Sequence, residues 1–164
     1  MNKFVTAAAS VALLTCASAA QAQDSEKHFN GLYLGGSVGY ADAGGDSGVS
    51  YEGFAGIRKQ TDGGVVFGVE GTYGNIDIDF LDHIWSVNGL IGTVVGQDNR
   101  GLLFISSGYA EAKASAFGFS ATGGGLRTDV GYEHAMSKNF SFRIKATTYE
   151  FDDFGASAGL LVKF

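Results

Sequence analysis

Apolar and polar residues alternate with a period of two along most of this chain, and the pattern is plainest at its end. In the closing GASAGLLVKF, Ala156, Ala158, Leu160, Val162 and Phe164 share one face, while Ser157, Gly159, Leu161 and Lys163 share the other. A soluble domain rarely ends so regularly, because terminal residues fray and turn polar. Read with the same period, the chain divides into eight strands over about 31–40, 49–59, 65–74, 84–96, 101–112, 120–135, 140–150 and 155–164. TDGG (61–64), QDNR (97–100) and MSKN (136–139) read as tight polar hairpin turns. The alternate connections, 41–48, 75–83 and 113–119, read as longer, more acidic loops, with a short one near 151–154. Short turns at one end and longer loops at the other is the plan of a transmembrane barrel, whose strands need about 9–11 residues to cross.

The two faces differ in kind. One carries Leu32, Leu34, Val38, Ile57, Phe67, Val69, Val87, Ile91, Val130 and Ile144. The other carries Gly, Ser and nine charges: Glu52, Arg58, Glu70, Arg127, Asp129, Glu133, Arg143, Lys145 and Lys163. Strand five is apolar on both faces, and alternation alone does not orient it. A closed eight-stranded sheet has room inside only for side chains, so its inward positions favour small residues among a few large ones. The charged face is therefore the interior and the apolar face meets lipid. Tyr40, Tyr51, Tyr73, Trp85 and Tyr109 fall near the loop ends of their strands, and Phe67, Phe140 and Phe164 near the turn ends. Two aromatic girdles at the two membrane interfaces are expected of such a wall. The fold class predicted is all-β, an eight-stranded antiparallel up-and-down transmembrane β-barrel, closed by pairing the last strand with the first.

Composition supports this reading and narrows the function. The chain has 26 Gly, no Pro and 13% aromatic residues. Gly without Pro is not the signature of a disordered linker, and interior Gly disfavours helix by about 1 kcal/mol relative to Ala. Residues 1–22 read as a secretory signal peptide: Lys3, an apolar run from Phe4 to Leu14, and the small-residue site Ala20-Gln21-Ala22. The sole cysteine, Cys16, lies in that segment, and Leu14-Thr15 before it poorly suits a lipidation site. The mature chain, 23–164, is one domain without a disulfide framework. Its formal charge moves from −6 to −7 on loss of Lys3, which excludes a nucleic-acid partner.

With the strands placed, GLYLGGSVGY, GFAGIRKQTDGGVVFGVEGTY, TDVGYEHAMSKNFSFRIKATTYEFDDFG and the terminal LLVKF resemble the small outer-membrane β-barrel proteins of the opacity and porin-like family. The eight-stranded OmpA-type transmembrane domain is a relative of that family. The resemblance implies an integral protein of the outer membrane of a Gram-negative bacterium, set among lipids and lipopolysaccharide. It also implies that the strand ending in Phe164 is what the barrel-assembly machinery reads. Members are variously structural, adhesive or narrow-pored, so the resemblance leaves conduction open. No peptidoglycan-binding domain is expected after the barrel, which puts no wall-anchoring role on it.

Two readings of the inward charges compete. They form an ion path, giving a low-conductance porin for ions or small solutes, or they form a salt-bridged plug. Charges of both signs favour the plug, since each buried ion needs a partner. The function expected is then a monomeric structural or surface-interaction barrel, serving envelope integrity or adhesion and meeting an extracellular partner through its loops. An outer-membrane lipid-modifying hydrolase would need a Ser, a His within hydrogen-bond reach and an orienting acid. His28 precedes the barrel, His83 lies in a loop and His134 near a turn, and none has a Ser two residues away on its strand face. No enzyme activity is expected. Asp77, Asp79, Asp82 and His83 are the densest set of metal-type ligands, but they lack the glycine-turn spacing of a calcium loop and read as a solvated acidic loop. The runs GLYLGG and ATGGGLR open no helix and precede no P-loop Lys, so they cradle no phosphate. No cofactor or metal is expected.

Overall fold

The computed structural model describes residues 27–43, 45–78, 81–116 and 119–164. The signal-peptide segment, Cys16 and Asp79 lie outside them. Eight strands follow one another: β1 (Gly31–Ala43), β2 (Asp46–Gln60), β3 (Val65–Ile76), β4 (Leu81–Val95), β5 (Gly101–Ala116), β6 (Phe119–Ala135), β7 (Phe140–Tyr149) and β8 (Asp153–Lys163). Each pairs antiparallel with its neighbours, and β8 pairs with β1 to close the barrel. Closure leaves no strand edge, as a sheet in hydrocarbon requires, because every backbone N–H and C=O there must find a partner.

The period-two pattern is realised strand by strand. Leu32, Leu34 and Val38 point outward, while Tyr33 of the same strand is buried inside. Strand five, apolar on both faces, is oriented only here: Leu102, Phe104 and Ala110 turn inward and Leu103 and Tyr109 outward. The outer wall is not uniformly large, however. Gly36 pairs with Gly53, and Gly71 and Gly89 continue a recessed belt of small outward positions.

The loops differ from expectation. The connections expected at 41–48, 75–83 and 113–119 are mostly strand, since the ladder runs on to Ala43↔Asp46, and to Ala116↔Phe119 between β5 and β6. Once the spanning part has set the register, each further pair adds hydrogen bonds without a new loop to close, and no Pro interrupts the run. The tight turns lie where the pattern put them. In 61–64, Thr61 N–H donates to Val65 O (2.8 Å), and Gly64 takes a φ of +77°. In the turn after β6, Ser137 Oγ accepts from the N–H groups of Asn139 and Phe140.

The interior is filled by aromatic rings laid over inward glycines. Tyr33 and Phe54 sit across from Gly56 and Gly35 on the paired strands. A Cβ on Gly35 would lie 2.5 Å from Phe54 Cζ, and one on Gly56 would lie 2.5 Å from Tyr33 Oη. Phe104 covers Gly131 of β6 in the same way. At the short-turn end, which the resemblance implies is the periplasmic one, the segment before β1 folds into the opening, so that Phe29 is fully buried against Val66, Leu90, Leu102, Phe104 and Ala135. Gln60 Oε1 accepts from Phe29 N–H (3.0 Å). Lys27 pairs with Asp62 of the first turn at 2.7 Å and holds that carboxyl below its usual range.

The candidate functional site: a charged lumen

Antiparallel closure stacks the inward charges at two levels. Near the periplasmic side, Arg58 (β2), Glu70 (β3), Glu133 (β6) and Arg143 (β7) form a quartet. Arg58 grips Glu133 with both guanidinium nitrogens, each at 2.7 Å. Arg143 donates to Glu70 Oε2 at 2.5 Å and to Glu133 Oε2 at 3.1 Å. Tyr33 Oη adds a bond to Glu70 Oε2 (2.8 Å). Aromatic faces complete the shell: the Arg143 guanidinium lies 4.7 Å from the Phe54 ring centroid and 5.0 Å from that of Phe104, and Arg58 lies 4.5 Å from that of Tyr33.

Toward the extracellular side, Glu52 (β2), Arg127 and Asp129 (β6) and Lys145 (β7) form a second quartet. Arg127 bridges Glu52 (2.7 Å) and Asp129 (3.1 Å), and Lys145 Nζ meets Glu52 Oε1 directly. Asp129 also accepts from Ser106 Oγ (3.0 Å) and Thr147 Oγ1 (2.6 Å). Between the levels, Thr72, Ser86 and Asn88 link by hydroxyl and amide bonds of 2.8 Å, and Arg127 Nη1 donates to Thr72 Oγ1 at 2.9 Å. Each quartet holds two positive and two negative groups, so each is neutral. That is the condition under which ions tolerate removal from water, since an unpaired one costs several kcal/mol.

Eight of the nine inward charges thus meet in two closed sets. Lys163 departs from expectation. It is buried at the periplasmic end, yet its Nζ donates to the carbonyls of His28 (3.1 Å) and Ser137 (3.3 Å) rather than joining an ion pair. The last strand places it below the lower quartet, level with the N-terminal segment, and backbone oxygens are the acceptors within reach. Side chains outside the charged set complete the lumen: Tyr33, Phe54 and Asn88, on the inward face by alternation, with Gln60, Phe104, Thr147 and, ahead of the first strand, Phe29. Their only sequence signal is inward parity. Nothing local marks Phe29, which precedes the first strand.

Above the upper quartet a cavity of about 40 Å³, enough for a few waters, opens toward the extracellular end beside Ser37, Glu52 and Tyr149. Beneath the lower quartet lies the fully buried Phe29 ring, 5.2 Å from the Arg58 guanidinium.

On the outer face Tyr40, Tyr51, Tyr73 and Tyr109 stand exposed toward the extracellular ends of their strands, and Phe67, Phe140 and Phe164 toward the periplasmic ends. Trp85 packs edge-on against Tyr109 (6.0 Å) and donates to Glu111 Oε1 (3.2 Å). His83 stacks on Tyr73 (5.4 Å) and His134 on Tyr132 (6.4 Å). The arrangement nearest to a hydrolase lies by His83, where Ser115 Oγ donates to Asp82 Oδ2 (2.6 Å). The hydroxyl is bonded to the acid and the imidazole is stacked on the Tyr73 ring, so Ser115 is not turned toward His83 there. Asp77, Asp82 and His83 gather no metal-binding set among the described residues.

A closed eight-stranded antiparallel wall, apolar outside and ion-paired within, defines a transmembrane β-barrel. The chain belongs to the outer membrane protein beta-barrel domain family, whose profile it matches over residues 8–164. It is accordingly an integral protein of the outer membrane of a Gram-negative bacterium. Solved structures share the fold at low identity. The N-terminal β-barrel domain of Pseudomonas aeruginosa OprF superposes with a TM-score of 0.58 at 14% identity, covering 82% of this chain and 98% of that one. Neisserial surface protein A gives 0.53 at 16%, covering 81% and 96%. Ail, the attachment invasion locus protein of Yersinia pestis, in complex with the heparin analogue sucrose octasulfate, gives 0.51 at 15%, covering 81% and 96%. No curated protein matches the sequence.

Proposed function

We propose that this barrel serves the envelope in a structural and surface-interaction role, contributing to integrity or adhesion, with its lumen closed to solutes. The observation that carries the reading is the pair of neutral ion-pair quartets stacked across the lumen, sealed below by Phe29. An ion entering would have to break bonds that leave a buried charge unpaired, a barrier of several kcal/mol at each level. The reading needs no catalytic group, which agrees with the aromatic partners of His83 and His134. It takes the chain from residue 23 onward, after signal-peptide removal, as the working monomer. Outer-membrane lipids and lipopolysaccharide cover the wall between the two girdles, and the assembly machinery reads the strand ending in Phe164.

The surface partner is met at the extracellular end. Asp42, Asp46, Asp77, Asp82, Glu111, Glu150, Asp152 and Asp153 crowd that end, and outside the lumen Lys113 is the one Lys or Arg there among the described residues. The polyanion bound by Ail does not suit such a surface, whose field attracts positive groups.

Planar bilayers containing the purified protein test the closed lumen, and should show no steady conductance. A deletion strain should lose surface adhesion or envelope integrity without a change in small-solute uptake. A steady wild-type channel whose ion selectivity changes on altering Glu70 or Arg127 overturns the reading in favour of a pore.

A further inference from the structure

The extracellular mouth holds a second cavity, of about 310 Å³, which shares Ile76, Ile84 and Tyr149 with the small cavity over the upper quartet. Ile76, Ile84 and Ala112 form one wall, and the backbone of Gly123–Gly125 forms the other. Tyr149, Glu150 and Asp153 stand at its rim. Its size lies at the lower end of the range for small-molecule sites, about 300–1,000 Å³.

The cavity exists because β6 withholds side chains. Three successive glycines within a strand are unfavourable, since Gly loses more chain freedom on folding than any other residue. Gly125 has a packing reason: a Cβ there would lie 2.6 Å from Glu150 Oε1. Gly123, at an inward position, has none, and no atom lies within 4 Å of where its Cβ would stand. The space beside it is open.

Glu150 is held in place at the cost of backbone strain. The β7–β8 turn places Glu150 and Phe151 at φ of 50° and 66°, a left-handed pair normally given to Asn-Gly. Asp152 N–H donates to Tyr149 O (3.0 Å), and Glu150 N–H to Leu126 O on β6 (2.8 Å), so the turn is pinned to the neighbouring strand. Among the described residues Glu150 makes no ion pair. The turn so fixed sets the Glu150 carboxylate at the rim of a mostly apolar cavity, within reach of a cation lodged there. The ring of Tyr149 is suited to help, and it already faces the Arg127 guanidinium at 5.7 Å.

We propose that the mouth cavity binds a small organic cation, an ammonium or guanidinium carried on a short apolar body. The body fills the space against Ile76, Ile84 and the glycine wall, and the charge meets Glu150 and Asp153. The acidic extracellular end raises the local concentration of such cations. The site stands above the lumen and does not depend on whether the lumen conducts.

The test uses the full mature protein in nanodiscs of zwitterionic lipid, with empty discs as the blank. Three probes share a phenethyl-type body: phenethylammonium, uncharged 2-phenylethanol and anionic phenylacetate. Amide shifts of Gly123–Gly125 report the binding. Phenethylammonium should saturate them, with phenylethanol about tenfold weaker and phenylacetate silent, as a charge-assisted contact requires. Gly123→Leu, which fills the cavity, should abolish binding while the heat-modifiable migration of the folded barrel is kept. If Gly123→Leu does not fold, Glu150→Gln decides, with an expected loss of about fivefold. Equal binding of phenylacetate overturns the proposal, as does wild-type affinity in a folded Gly123→Leu barrel or in Glu150→Gln.

Discussion

Arg143 on β7 reaches Glu70 on β3 at 2.5 Å across the lumen, joining two strands that share no backbone hydrogen bond. The same guanidinium holds Glu133 on β6. The barrel is therefore tied through its interior as well as around its wall, and this tie is where substitutions should be felt most.

Arg143→Ala removes the cation between two buried carboxylates. Glu133 keeps Arg58, but Glu70 is left with only the Tyr33 hydroxyl. Stability should fall by about 3–5 kcal/mol, the cost of breaking a buried pair from one side. Urea titration of the barrel in lipid vesicles measures it. The double variant Arg143→Ala with Glu70→Ala should recover part of the loss, and a double variant no better than the single would show that Glu70 gains nothing from Arg143.

On the reading proposed above, the two quartets close the lumen in series, so opening one should not produce a channel. Replacing Glu52 and Lys145 with Ala should admit water only as far as Thr72 and Ser86, and bilayers should stay quiet. Removing Glu70 and Arg143 and replacing Phe29 with Ala as well should give measurable current. Conductance from the Glu52/Lys145 variant alone would show that the lower quartet does not seal.

Phe29→Ala empties a fully buried site beneath Arg58. The loss expected is about 3–5 kcal/mol, as for other buried Phe→Ala changes. The unheated, folded band on gels should weaken at a lower temperature than in the wild type. An unchanged melting temperature would mean that the N-terminal segment contributes nothing to the closed end.

Phe164→Ala removes an outward aromatic from the closing strand but leaves its ladder intact, since Phe164 N–H donates to Leu32 O through the backbone (2.9 Å). Less protein should reach the outer membrane in cells, while refolding of the purified variant in detergent is nearly normal. Membrane fractionation separates the two effects. Wild-type levels in the membrane would show that the terminal aromatic is incidental to assembly.

Strand number, strand order and the direction of almost every side chain could be read from the chain alone. Alternation has a period of two, and in this protein the two faces meet different media: hydrocarbon selects Leu32, Val69 and Ile144, and a crowded interior selects Gly, Ser and paired ions. Strand five escaped because Leu102 and Leu103 satisfy either medium, and only its pairing with Gly92 and Gly131 turned Phe104 inward. Loop length escaped because a hairpin ladder can outrun the membrane wherever no Pro stops it. What tertiary structure alone decided is which inward charges meet. Glu133 and Arg58 are 75 residues apart, and Lys145 and Glu52 are 93 apart. Their levels depend on how far each strand is staggered against the next once the sheet has closed. That stagger sorts eight charges into two neutral sets and leaves Lys163 to backbone carbonyls. It is a property of the whole circumference, so no local pattern carries it.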